Sequence, residues 1–386
     1  MSWLYEGTAP EMTLDFASDA AAVATFRRGG WYATAGPLPG LTIIALNVNY
    51  WVELNAAVVG PTADAGALAL AEEQFAFLNA SLAAVAATPG ARAYILGHEP
   101  PHEVWLPGFY TRYRVLLASF PPATVAASFW GHDHVDTFTV VRSCPNAAPN
   151  GSLPVAWRTI TGLKWCSGGN LPVGDVWGLG TDGDAWCPLV PGGGNASVAL
   201  PLCEGVCGAA ASCAGFTYYP NGTTPACCFR TDISDQPPDP ASDALCVARY
   251  TACDAGEPLH VGYVAPSLTE GYPASNPGLR TYALDAATLD VLDATTVWGN
   301  ITAANAAWAF LFDESYSARA LYGLADLSPA SWLAAVARFA APNSSAWADF
   351  WRVYRKGYDG PSAGPCDAGD CKDSLLGWLN GTLVDV

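Results

Sequence analysis

Three histidines stand where imidazole nitrogens could hold a metal. His98 lies in Tyr94-Ile95-Leu96-Gly97-His98-Glu99-Pro100-Pro101, and His132 and His134 lie in Phe129-Trp130-Gly131-His132-Asp133-His134. The Gly-His-x-His spacing lets two imidazoles face one site from an extended turn, and the glycine lets the backbone pass close to an ion. Zinc suits neutral imidazole at about 2.0–2.1 Å, and two zinc ions about 3.5–4 Å apart clamp a phosphoryl group and supply hydroxide at moderate pH. A single histidine at a strand end is more often a capped surface residue than a ligand, so the case for metal rests on all three together. His102 and His260 have no motif around them.

These histidines need a scaffold that brings them to one edge. Leu41 to Leu46 is a short apolar, β-branched-rich run that reads as a buried strand delivering Asn47-Val48-Asn49 at its end. Ala67 to Ala87 has apolar residues at helical spacing through Leu70, Phe75, Leu78 and Leu82, and Thr88-Pro89-Gly90 punctuates it. Ala93 to Leu96 reads as a strand, Tyr110 to Phe120 as a helix and Ala126 to Trp130 as a third strand. Alternating strands and helices predict an α/β sheet with ligands beyond the strand C-termini. After Val141 the texture changes to Cys, Gly, Pro and Asn until about Cys253, as in an insertion. Strand patterning returns in Val261 to Ala265, Leu279 to Leu284 and Val291 to Val297, and from Ala303 the chain reads as helices. The expected organisation is therefore 1–142, a first catalytic segment; 143–257, a Cys-rich insertion; 258–300, returning strands; and 301–386, a helical region.

With 386 residues and 51% hydrophobic content, the chain can bury a large core. Lys and Arg total 17 against 35 for Asp and Glu, a net charge of -18 that repels nucleic-acid backbones and anionic membranes. Seven of the 12 cysteines fall between Cys203 and Cys253, and Asn-x-Ser/Thr sequons occur at Asn79, Asn150, Asn195, Asn221, Asn300, Asn343 and Asn380. Together they indicate an oxidising, glycosylating compartment, either secreted or the lysosomal or vacuolar lumen. No run of about 18 apolar residues predicts a membrane span. Residues 1–30 lack a charged n-region followed by an apolar h-region, so no signal peptide is visible.

The ordered motifs resemble the acid sphingomyelinase-like phosphodiesterase family. The resemblance is carried by Gly97 to Pro101, Phe129 to Asp136, Ala265-Pro266-Ser267 and Asn276-Pro277-Gly278-Leu279-Arg280. It continues through Trp298 to Asn305, Leu321-Tyr322-Gly323-Leu324, and Phe350 to Gly357 leading to Cys366 and Cys371. It implies a calcineurin-like metallophosphoesterase β-sandwich flanked by helices and a two-zinc site, with His98 and His132 on one Zn2+ and His134 on the other. It also implies a Cys366–Cys371 disulfide; the x4 spacing departs from the Cys-x-x-Cys of redox enzymes. The family's Asp-x-His, Gly-Asp and Gly-Asn-His motifs, the last of which supplies the proton donor, lie before these residues, and none precedes His98 here. The expectation is an N-terminally truncated chain of a zinc-dependent phosphodiester hydrolase, acting on sphingomyelin or a related lipid or nucleotide phosphodiester, with the catalytic proton donor outside this chain.

Within the insertion, Cys203-x3-Cys207-x5-Cys213-x-Gly215-Phe216-Thr217-Tyr218 and then Cys227-Cys228-Phe229 resemble PAN/apple modules, which implies a protein or carbohydrate ligand. A stapled loop without a partner, or a zinc site begun by Cys203-x3-Cys207, are the other readings of these spacings. The competing function is a catalytically inactive secreted glycoprotein that binds a partner through this insertion.

Overall fold

The computed structural model describes residues 19–58, 64–101, 104–148, 256–269, 275–309, 314–358 and 370–381, with residues 311, 312 and 366 and shorter pieces of 155–251. His102, Asn150 and Asn221 lie outside the described residues. Two compact units divide the chain: Met1–Ser152 with Cys253–Leu383, and Leu153–Ala252 with Val384–Val386.

Among the described residues of the first unit, helix α1, Ala20–Gly29, comes first, started by Asp19, whose carboxylate accepts from the Ala21 and Ala22 N–H groups. Strands β1, Tyr32–Ala35, and β2, Leu41–Ala45, pair antiparallel. Helix α2, Ala65–Ala86, is capped by Asp64 and buries Ala67, Ala71, Phe75, Leu78, Leu82 and Val85, an apolar stripe at 3–4 residue spacing. Strand β3, Arg92–Leu96, helix α3, Pro107–Ala118, strand β4, Val125–Trp130, and strand β5, Thr137–Arg142, follow. Asn47, read from sequence as a polar group offered at a strand end, is instead locked into the scaffold. Its N–H donates to Gln74 Oε1 at 2.6 Å, and Gln74 Nε2 donates back to its carbonyl at 3.1 Å.

The second unit holds β6, Val155–Thr159, helix α4, Ala196–Ala209, β7, Gly215–Tyr219, β8, Ala226–Arg230, and β9, Leu245–Thr251. These strands form an antiparallel sheet in the order β6-β9-β7-β8. Disulfides join Cys203 to Cys227, Cys187 to Cys228 and Cys207 to Cys213. Neighbours on a strand point to opposite faces, so adjacent Cys227 and Cys228 reach different partners. Cys203 and Cys207 are both oxidised and cannot offer the thiolates that a zinc site requires.

Back in the first unit, β10, Pro258–Val264, enters the large sheet, giving the order β1-β2-β3-β4-β10-β5 with β2, β3, β4 and β10 parallel. Strands β11, Gly278–Leu284, and β12, Val291–Trp298, begin a second sheet. The fold is thus mixed α/β. Alternation along β4 faces Trp130 toward Trp105 and Tyr113 on the helical side, while Phe129 packs edge-on against Tyr282 of β11 at 4.7 Å.

After helix α5, Ile301–Ala307, comes a difference from the helical reading of 301–386: Glu314–Ser317 is strand β13, antiparallel to β12. Four mostly polar residues carry no legible period, and pairing with β12 is what makes them a strand. Helices α6, Ala318–Tyr322, α7, Pro329–Ala340, α8, Ser345–Tyr354, and α9, Asp370–Leu379, complete the region. Phe138 of β5 meets Trp332 of α7 at 3.9 Å, and a Cys366–Cys371 disulfide closes the start of α9. Among the sequons, Asn79, Asn195 and Asn343 are exposed and Asn300 and Asn380 are half-buried. No helix among the described residues is long and apolar enough to cross a membrane.

His260 is fully buried on β10, its Nε2 3.0 Å from Ser128 Oγ, and burial pushes its pKa down to about 3. The unfolded chain therefore takes up a proton that the native state refuses, and stability falls as the pH drops from about 6.5 toward 3. We expect His260→Phe to flatten this loss, which amounts to about 3 kcal/mol between pH 7 and pH 4, in urea denaturation at the two pH values.

Candidate metal centre

Three neighbouring parallel strands end at one edge of the large sheet. β3 runs out into Gly97-His98-Glu99, β4 into Gly131-His132-Asp133-His134, and β10 into Ala265 to Thr269. The loops are tied to each other: Gly97 N–H donates to the Phe129 carbonyl at 3.1 Å, and Gly131 N–H to the His98 carbonyl at 2.8 Å. Gly97 is required because any Cβ there would stand 2.2 Å from the Trp130 ring.

His98 Nε2 and His132 Nδ1 lie 3.2 Å apart, their rings perpendicular. Two nitrogens each about 2.0–2.1 Å from one tetrahedral zinc stand about 3.3 Å apart, so this pair fits a shared ion. On its other side His132 Nε2 sits 2.9 Å from Glu99 Oε2, a buried carboxylate. A proton held on Nε2 toward that carboxylate leaves a lone pair on Nδ1 facing His98, the tautomer a metal ligand needs. Burial, and after it the charge of His132, keep the His98 imidazole below its ordinary pKa, with His134 adding to this and Glu99 opposing it. Neutral His98 is the ligating form.

His134 has a different hydrogen-bond neighbour. Its Nδ1 lies 3.3 Å from Thr269 Oγ1, which leaves Nε2 as the second ring nitrogen. The structure therefore brings the His98 and His132 nitrogens together, with His134 on the same turn as His132. Ligand atoms of Glu99, His132 and Asp133 also fall within 4.8 Å of one another. Sequence reasoning singled out neither acid, although Glu99 directly follows His98.

The turn is strained. His132 and His134 have φ of 67° and 61°, the left-handed region that L-residues avoid at a cost of about 1 kcal/mol each. Such backbone persists only when its surroundings fix it, and three ties do so here. Asp136 N–H donates to the Tyr354 carbonyl at 3.0 Å. The Asp136 carboxylate forms a buried ion pair with Arg280 and accepts from Tyr316 Oη at 2.7 Å. Lys356 Nζ donates to the His134 carbonyl at 2.7 Å. Burial, and then the Arg280 guanidinium, bring the Lys356 pKa down to about 7.

No protein-family model matches the chain. It is similar to the sphingomyelin phosphodiesterase of Homo sapiens, 34% identical over 139 residues, which are 36% of this chain and 20% of that protein. It is similar to sphingomyelin phosphodiesterase A of Dictyostelium discoideum, 41% identical over 75 residues, 19% of this chain and 13% of that protein. A cyclic GMP-AMP phosphodiesterase of Mus musculus is 31% identical over 117 residues, 29% of this chain and 26% of that protein. The chain thus spans about a fifth of the length of the human relative.

Removing Arg280 leaves the buried Asp136 charge alone, so Arg280→Met should cost about 3–5 kcal/mol in urea denaturation. Adding Asp136→Asn should return most of that loss. Equal stability of Arg280→Met and the parent protein would contradict the anchoring role.

Proposed function

Kinship with the acid sphingomyelinase-like phosphodiesterases is the premise from which we propose that this chain carries part of the metal site of a zinc-dependent phosphodiester hydrolase. The single observation that carries the reading is the His98–His132 nitrogen pair at 3.2 Å, backed by Glu99 at a strand-end edge. His98 Nε2 and His132 Nδ1 would hold one zinc and His134 Nε2 the other. A bound zinc supplies Lewis acidity toward a phosphoryl oxygen and makes water more acidic.

The chain's own groups prepare for that chemistry. Glu99 fixes the His132 tautomer, and burial favours the neutral, ligating form of His98. Thr269 orients His134 through Nδ1. The two left-handed residues sit in a turn held by Lys356 on the His134 carbonyl and by the Asp136–Arg280 pair two residues on. Three imidazoles are fewer than the three protein donors a catalytic zinc takes for each of two ions, so the proposed two-zinc site needs donors beyond these three. The substrate we propose is a phosphodiester such as sphingomyelin, which two of the relatives are named for, or a cyclic dinucleotide, which a third is named for. The disulfides and the exposed sequons support a secreted or lumenal setting.

In the native protein, turnover of bis(p-nitrophenyl) phosphate should be lost on chelation, return with zinc, and be abolished by His132→Ala or His134→Ala. Glu99→Gln should retain the site but need 10–100-fold more zinc for half-maximal turnover. Undiminished turnover in the two alanine variants would rule the assignment out.

A further inference from the structure

Lys356 is 222 residues from His134 in sequence, within the Phe350 to Gly357 run to which the reading above assigns no role, yet it is fully buried directly behind the histidine turn. Its ammonium donates to the His134 carbonyl at 2.7 Å and to Ser275 Oγ at 3.0 Å, and Ser275 Oγ donates to the same carbonyl at 3.4 Å. Among the described residues no carboxylate forms an ion pair with it. A buried ammonium without a counter-charge is costly, and an apolar side chain of the same length would fill the space without that cost.

The surroundings are shaped to admit this side chain. Lys356 is itself left-handed, with φ of 50°. Its carbonyl accepts from Asn276 Nδ2 at 2.8 Å, and Asn276 N–H donates to the Arg355 carbonyl at 3.3 Å. The stem passes so close to Gly278 that any Cβ there would stand 2.6 Å from Lys356 Cδ. Backbone, stem and ammonium are thus all fixed, and the ammonium meets the one carbonyl between a left-handed histidine and Val135.

We infer that Lys356 is a positioning residue for His134: its ammonium clamps the His134 carbonyl and so fixes the direction in which that imidazole leaves the turn. The link to zinc rests on the metal-site reading above; the clamp itself does not. Lys356 touches no reacting atom in this assignment and acts only through His134.

The chain has 5 histidines, which makes the imidazole nitrogens separately observable in a ¹⁵N-histidine-labelled protein. We expect Lys356→Met to shift or broaden the His134 signals in metal-free protein while those of buried His260 stay in place, and Lys356→Arg to restore them. Zinc titration should then show His134 responding at 10–100-fold higher zinc in Lys356→Met than in the parent. A loss of fold would move His260 as well, and in that case Ser275→Ala, which keeps the charge and removes one contact, decides the matter by a smaller shift confined to His134. His134 signals unchanged in metal-free Lys356→Met, or in Ser275→Ala where that variant decides, overturn the clamp. A parent protein whose His134 ignores zinc overturns the metal reading instead, and the metal-free comparison still judges the clamp.

Discussion

Asp136 and Arg280 form an ion pair shut away from water two residues after His134, and much of the first unit converges on it. Asp136 leads into β5, Arg280 projects from β11, and Tyr316 of β13 donates to the same carboxylate. Arg280 also donates to the carbonyls of Thr137 and Val264 and to Thr296 Oγ1, so a single guanidinium stitches the large sheet to the second sheet. Buried pairs seldom add net stability over apolar packing, but breaking one is expensive. What the pair supplies here is registry: the turn that carries two histidines cannot move without uncovering a charge.

That constraint explains how strained backbone survives at the sheet edge. Left-handed His132 and His134 would relax in a free loop. The hydrogen bonds from Gly131 to His98, from Asp136 to Tyr354 and from Lys356 to His134 hold the loop from the strand side, the helix side and below. Preorganised side chains lose little freedom when a ligand binds, which is the physical reason to build a binding edge on rigid strand ends. The C-terminal helices, remote in sequence, are therefore part of the site's geometry.

Much of this scaffold was legible in the sequence. Short β-branched runs ending in Gly-His mark strand ends, because a parallel strand buried on both faces is apolar until it emerges. The alternation of strands with helices 67–87 and 110–120 was likewise readable, and the observed boundaries differ by one to three residues. The support was not readable. Glu99 matters because the β3 and β4 loops lie side by side, a relation no local pattern encodes. Arg280, Tyr316 and Lys356 are ordinary residue types whose roles exist only once β11, β13 and the end of α8 are folded against the turn. Strand β13 was missed for the same reason: Glu314 to Ser317 is extended by its neighbour, and not by its own composition.

In the site proposed above, imidazole nitrogens at the edge of the large sheet, and not the cysteines of the second unit, would hold the metal. X-ray absorption at the zinc edge of the zinc-loaded native protein tests it most directly. The account predicts a first shell of nitrogen and oxygen at about 2.0–2.1 Å with the outer-shell scattering of imidazole. A sulfur shell at about 2.3 Å, or no retained zinc, would contradict it.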